Sequence, residues 1–252
     1  MFSPLQYTHQ VAIDGFNWLC QDPAALSRFN SFMEGQRANR PYWGDWFPVR
    51  ERILTTGTGE EKKVLNGDSA GQPLLVDIGG GRGHDLLAFR ERFPVSEAPG
   101  TLVLEDLPGV IDEAREAAAQ DALGGLQGIE TVPYDFFADE QPVRNARVYY
   151  FKYVLHDWSD AKAAVIFNNL KPAMKRGYSK VLIEEYILPD REAKPLPCMT
   201  DLAVMVFCSG LERTRQRWVN LLEGVVGLRI LKFWVREGDG LGIIEAELPE
   251  ID

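Results

Sequence analysis

The ten residues from Leu74 to Gly83, LLVDIGGGRG, restrict the possible folds more than any other stretch of the chain. Leu74, Leu75 and Val76 form the short apolar run of a buried parallel strand. Asp77 and the glycines at 79, 80, 81 and 83 then demand a sharp turn into a helix. Glycine takes positive φ without steric cost and lets the backbone approach a ligand closely. A helix opening near Gly83 aims its N–H groups at the same point. The turn is therefore a cofactor cradle or a structural glycine turn of the common kind. Spacing speaks against two ligand classes. A dinucleotide turn needs glycine at its first, third and sixth positions, whereas Gly79 and Gly81 lead to His84, and Gly81 and Gly83 lead to Leu86. Neither GxxxxGKS nor GxxxxGKT occurs, so a phosphate-gripping loop is absent.

With 252 residues, 45% apolar and 25% charged, the chain suits one large α/β domain with its own core. Its formal net charge of -10 excludes the basic field that a nucleic-acid partner would require and suits a small neutral or cationic ligand. Cys20, Cys198 and Cys208 are odd in number and widely spaced, which suggests neither a disulfide framework nor a zinc site, and points to a reducing compartment. With no signal peptide and no apolar run of about eighteen residues, the expectation is a cytoplasmic protein that does not span a membrane.

In chain order, residues 1–54 are aromatic-rich and read as helical. Asp22-Pro23 opens a helix carrying Leu26, Phe29, Phe32 and Met33 on one stripe, which either packs on the main domain or roofs a pocket. Tyr42, Trp43, Trp46 and Phe47 carry the same two readings. Residues 55–72 are polar and glycine-rich, an exposed connection. From 73 to 252 strand and helix patterns alternate as in a doubly wound parallel sheet. Strands are expected near 74–78, 101–105, 129–132, 147–153 and 180–186, and helices near 83–93, 108–121, 160–175, 198–208 and 214–226. Runs at 228–235 and 241–247, joined by a turn at 237–240, form a terminal hairpin.

The second strand ends in Glu105-Asp106-Leu107-Pro108, about twenty residues past the glycines, where an acid can accept from two ribose hydroxyls. Asp106 is preferred over Glu105, with a helix N-cap as the plainer role. After the third strand, Asp135 can accept from an adenine amino group and Phe136 can lie on its ring. His156 falls just past a central strand, where α/β sheets place ligand-facing residues.

Five segments then stand in order: VDIGGGRG, EDLPGVI, FKYVLHDWSD over 151–160, EYILP over 185–189, and Asp201 leading to Leu211-Glu212-Arg213-Thr214. From about Phe16 onward the chain resembles the plant and fungal small-molecule O-methyltransferases of the caffeic-acid type, and its glycine turn resembles motif I of the Rossmann-like S-adenosylmethionine (SAM) enzymes. The resemblance implies a class I methyltransferase fold: a mostly parallel seven-stranded sheet with an antiparallel terminal strand, plus N-terminal helices. It implies His156 as general base, with Glu185 and Glu212 flanking it to hold and polarise the imidazole; Glu184 is the alternative to Glu185. Asp77, Gly79, Gly81, Gly83, Asp106, Leu107, Asp135, Phe136, Lys152 and Trp158 would bind SAM, and S-adenosylhomocysteine would leave. Position and resemblance together offer Phe29, Met33, Trp43, Met205 and Phe207 as the wall for a small aromatic substrate, phenolic or polyketide-like. No metal is implied. Members of that family carry a further N-terminal region that builds a dimer, and this sequence begins past it, so any homodimer is expected to be weakened.

The chemistry agrees with these residue types. A phenol of pKa about 10 is a poor nucleophile until a base removes its proton, and histidine at about 6.5 is suited to do so. A carboxylate on the far ring nitrogen fixes the tautomer and favours the imidazolium. Two other readings stand beside transfer: a protein of this fold whose chemistry has drifted to a pericyclic or dehydrative reaction or to non-catalytic binding, and an oxidoreductase, which the glycine spacing disfavours.

Overall fold

In a computed structural model of the chain, the structure describes residues 3–19, 21–38, 40–57, 63–67, 71–120, 125–236 and 240–250. Cys20 and positions 237–239 of the expected hairpin turn lie outside the described residues. The N-terminal part holds α1 (Pro4–His9), α2 (Gly15–Leu19), α3 (Pro23–Ala38) and α4 (Val49–Arg52). Asp22 opens α3 as anticipated, its Oδ1 accepting from the Ala24 N–H at 2.9 Å. Thr55–Thr56 (β1) and Lys63–Val64 (β2) form a small antiparallel ladder inside the expected connection.

The main unit runs β3 (Pro73–Ile78), α5 (His84–Arg92), β4 (Thr101–Asp106), α6 (Pro108–Ala119), β5 (Ile129–Pro133), β6 (Val148–Lys152), α7 (Asp160–Leu170), β7 (Lys180–Tyr186), α8 (Pro195–Cys208), α9 (Arg215–Val219), β8 (Arg229–Val235) and β9 (Leu241–Glu247). Its seven strands lie in the order β5-β4-β3-β6-β7-β9-β8. All neighbouring pairs are parallel except the two made by β9, which slots antiparallel between β7 and β8. The reversal thus sits one strand in from the edge. Three helices depart from expectation. Pro172 has no N–H to donate, and α7 gives way to a 3₁₀ turn at Lys171–Ala173. Prolines at 195 and 197 are tolerated in a first turn, so α8 begins earlier. After Val219, α9 widens into a π-helical stretch, Asn220–Val226.

Successive strand residues face opposite sides, and the core is split accordingly. Val76, Val103, Tyr149, Phe151, Val181 and Ile183 pack with α7, Trp218, Leu221 and Leu222 on one face. Leu75, Leu102, Leu104, Tyr150 and Leu182 pack with α5, α6 and residues 43–54 on the other. The N-terminal segment is pinned there by charge. Arg147, 3% exposed, donates to the carbonyls of Ile53 (2.8 Å), Arg52 (2.9 Å), Thr55 (2.8 Å) and Tyr178. Arg52 forks onto Glu245, which Lys180 and the Trp234 indole N–H also engage.

Trp43 belongs to this core. It is fully buried, 5.9 Å from the Phe89 ring and 5.2 Å from Tyr150, so its place as a substrate wall is corrected: the sheet and α5 occupy the space a ligand would need. Trp43→Ala is expected to lower the unfolding free energy by about 3–5 kcal/mol, the usual cost of emptying a core site of that size. Urea unfolding checks it; a loss under about 0.5 kcal/mol is what an exposed wall residue would give.

Candidate active site

The carboxyl ends of β3, β4, β6 and β7 converge on one rim. At β3 the chain turns through Gly79, Gly81 and Gly83, with φ of 74°, 60° and 80°, values that side chains rarely adopt. A Cβ at Gly79 would stand 2.8 Å from Val154 Cγ2, whereas at Gly81 nothing lies within 4 Å. The turn is thus tight behind and open in front. Asp106 closes its side: one carboxylate oxygen accepts from the Gly81 N–H at 2.9 Å, the other from the Leu107 N–H at 2.7 Å. Burial pushes Asp106 up, and these two donors oppose the shift. The adjacent Glu105 points to the other face of the sheet, accepting from Gln141 at 2.8 Å, and burial raises it to about 8.

Asp77 is buried at the strand end. Lys152, at the end of β6, holds its Nζ 3.3 Å from Asp85 and 3.4 Å from Glu184. Asp135 is half-buried and caps its own turn, accepting from the Phe137 N–H at 2.9 Å. Phe136 and Phe137 stand edge-on to Trp158 at 6.2 and 4.7 Å, so the three rings form one aromatic group.

His156 sits on a 3₁₀ turn, Leu155–Asp157, and is 7% exposed. Its Nδ1 lies 2.8 Å from Glu212 Oε1 and its Nε2 3.6 Å from Asp157 Oδ1. Glu185 behaves otherwise than the resemblance implied. Its Oε1 accepts the N–H groups of Leu155 (2.6 Å) and His156 (3.1 Å). It therefore grips the backbone that carries the imidazole and acts on the ring by charge alone. Glu184, on the opposite face of β7, accepts from Tyr150 and approaches Lys152. Burial works against a charged imidazole, but Asp157, Glu212 and Glu185 outweigh it and push His156 up to about 10. The same burial raises Asp157 to about 6 and Glu185 to about 7.

Of the expected aromatic wall, Phe29 and Phe207 stack at 5.9 Å and share contacts with Phe16, which reaches Trp158 at 6.2 Å. Met33 is half-buried one turn from Phe29, and Met205 is 44% exposed. Residues without an expected role also meet here. Cys208 donates its thiol to Asp157 at 3.3 Å. Arg213, fully buried, donates to the carbonyls of Leu155 and Trp158 and to Asp160. Gly210 passes so close that a Cβ would meet the His156 carbonyl at 2.1 Å. Asp201 accepts from the Glu212 N–H at 2.7 Å. Asp157 and Arg213 stood inside recognised segments, so proximity in sequence could have flagged them; Cys208, 51 residues from Asp157, offered no such signal.

This sheet order, with its glycine turn and rim acids, is that of a class I methyltransferase. The O-methyltransferase domain family matches residues 60–227, and the chain belongs to that family. It is 38% identical over 243 residues to O-methyltransferase asqD of Emericella nidulans, covering 96% of this chain and 57% of that protein. Among solved structures, OxaC in complex with S-adenosylhomocysteine and oxaline matches with a TM-score of 0.80 and 30% identity over 98% of this chain and 57% of the other. A pericyclic reaction enzyme matches with a TM-score of 0.80 and 28% identity over 98% and 58%. The chain thus spans just over half the length of these relatives. The cofactor of this class is SAM, and the residues present fit it: an open face at Gly81, an acid, Asp106, fixed beside it by the Gly81 and Leu107 N–H groups, and an aromatic group at Trp158. Among the described residues no group of three His, Cys, Asp or Glu side chains could hold a metal ion, and no helix is long and apolar enough to cross a membrane.

Because the folded state holds His156 above its ordinary 6.5, the ion pair's stabilisation is full below that value and is lost as pH rises through about 10. Between pH 7 and 10 the protein should therefore lose stability more steeply than His156→Asn. Denaturant midpoints across that range test it; parallel curves would show an unshifted imidazole.

Proposed function

We propose that the protein transfers the methyl group of SAM to a hydroxyl of a small aromatic, phenolic or polyketide-like molecule, with His156 taking the hydroxyl proton. The observation that carries this reading is the 2.8 Å pair between His156 Nδ1 and Glu212, held at the rim beside the glycine turn. SAM supplies a methyl group on a positively charged sulfur, open to in-line displacement. Gly79, Gly81 and Gly83 give it backbone room, with Asp77 at the strand end; Asp106 and Leu107 serve its ribose, Asp135, Phe136 and Trp158 its adenine, and Lys152 its amino-acid end. Phe29, Phe207 and Met33 supply apolar surface to the acceptor. A homodimer partner and a cytoplasmic setting remain part of this proposal.

Glu212 on Nδ1 makes Nε2, which Asp157 faces at 3.6 Å, the nitrogen that receives the proton, and both carboxylates stabilise the imidazolium formed. The surrounding carboxylates make His156 a strong base, well matched to a phenol of pKa about 10. The same match has a cost: at neutral pH the resting imidazole already carries a proton, which must leave before the acceptor's can be taken. The fold's likeness to a pericyclic reaction enzyme keeps the drifted reading as the alternative, less well supported than transfer. A base oriented by its own carboxylate favours transfer, since a binder has no need of one.

Incubation with SAM and a panel of phenols should yield S-adenosylhomocysteine, and His156→Ala should slow that by about a hundred- to ten-thousandfold. An equal rate in the variant would remove His156 from the reaction. For the parent, kcat/KM should climb with pH above neutrality toward a plateau near 10. In Glu212→Gln the plateau should arrive at lower pH, because a carboxylate that raises the imidazole is gone; an unmoved profile would make Glu212 merely structural.

A further inference from the structure

Beside the base lies a second polar group that methyl transfer to a simple phenol does not use. Arg40, between α3 and the 3₁₀ turn at Trp43–Asp45, reaches across the rim and donates from one guanidinium to the hydroxyls of both Tyr153 and Tyr186. Its Cζ stands 5.6 Å from the Tyr153 ring centroid and 5.4 Å from that of Tyr186. Tyr153 follows the last residue of β6 in a left-handed conformation, φ 52°, which an aromatic residue adopts only against a steric cost. That conformation sets its ring 5.5 Å from the His156 imidazole. Tyr186 is the last residue of β7, next to Glu185, and is buried.

We propose that Arg40, Tyr153 and Tyr186 form a donor cluster that selects acceptors carrying a carbonyl or carboxylate oxygen next to the hydroxyl to be methylated. The inference rests on the function proposed above and narrows its substrate class. Each tyrosine hydroxyl accepts one N–H from the guanidinium, which polarises its own O–H as a donor. A permanently charged guanidinium behind two such hydroxyls favours negative charge on an oxygen placed against them. Glu185, Glu212 and Asp157 all act on His156 by charge, in a chain of formal net charge -10. An anionic acceptor would be repelled there unless a fixed cation met it. The cluster answers that need one ring's width from the base. An oxygen beside the reacting hydroxyl would lie on the tyrosines while the hydroxyl itself faces His156.

The test is binding to the full chain saturated with S-adenosylhomocysteine, followed by calorimetry with three matched aromatics: 1-hydroxy-2-naphthoate, 1-hydroxy-2-acetonaphthone and 1-naphthol. The parent should prefer the first two to 1-naphthol by about tenfold or more, as sites built around polar donors do. A larger preference for the naphthoate assigns the site to carboxylates, and equal preferences assign it to carbonyls in general. Arg40→Gln should erase most of the preference while leaving affinity for 1-naphthol and S-adenosylhomocysteine unchanged, which also shows that the variant folds. Arg40→Lys, which keeps the charge but not the fork, should fall between, and Tyr153→Phe should lose part of the preference. A parent without preference, a preference that survives Arg40→Gln, or an equal loss for all three aromatics overturns the proposal. Since the readout is binding alone, failure to methylate any phenol would count against the proposed function and not against this selectivity.

Discussion

The site depends on one buried carboxylate holding two main-chain N–H groups. A 3₁₀ turn leaves its first amides without partners inside the turn, and in the turn of His156 Glu185 Oε1 takes those of Leu155 and His156. From the other side Arg213 takes the carbonyls of Leu155 and Trp158, and the Leu211 N–H donates to the His156 carbonyl at 2.8 Å. The turn is thus held from β7 below and from residues 210–213 beside it. Only glycine at 210 permits the approach. The imidazole's position follows from this backbone grip, and its orientation from Glu212. Removing a partner from such a buried charged set costs far more than the set contributes, because the remaining charge has no water to turn to.

That arrangement loads three carboxylates around one imidazole within a nearly dry pocket. Burial raises Glu185 and Asp157, and the carboxylates raise His156 in turn. All three shifts have one sign: the folded protein holds protons that the unfolded chain would release. Protonation of the pocket is therefore favoured throughout: it neutralises the two carboxyls and charges the imidazole.

The parts of this structure legible in the sequence are those with a local period. The glycine turn, the strand spans and the order of rim acids follow from residues close in sequence, and the strands fall within one or two positions of expectation. Trp43 was not legible, because an aromatic residue suits a core and a ligand wall equally and only the packing of Phe89 and Tyr150 decides between them. Glu185 was expected on the ring and is found on the backbone; amide contacts leave no residue pattern to read. The reversal of β9 inside the sheet rather than at its edge follows from topology, which a hairpin signal does not specify. Arg40 meets Tyr153 across 113 positions, a contact that no window of sequence contains.

The end of β7 shows how one strand can serve two chemistries. Side chains alternate across a sheet, so the neighbouring acids Glu184 and Glu185 face opposite ways. Glu184 meets Lys152 and Tyr150 beside the glycine turn, and Glu185 meets the turn of His156. A shift of register by one residue would leave a glutamate at only one of the two places, with Ile183 or Tyr186 at the other, so that either Lys152 or the turn of His156 would lose its carboxylate. The register is fixed instead by burial on both faces, with Leu182 in one core and Ile183 in the other. Hydrophobic packing thereby sets the separation between the glycine-turn side and the His156 side to the width of a single strand.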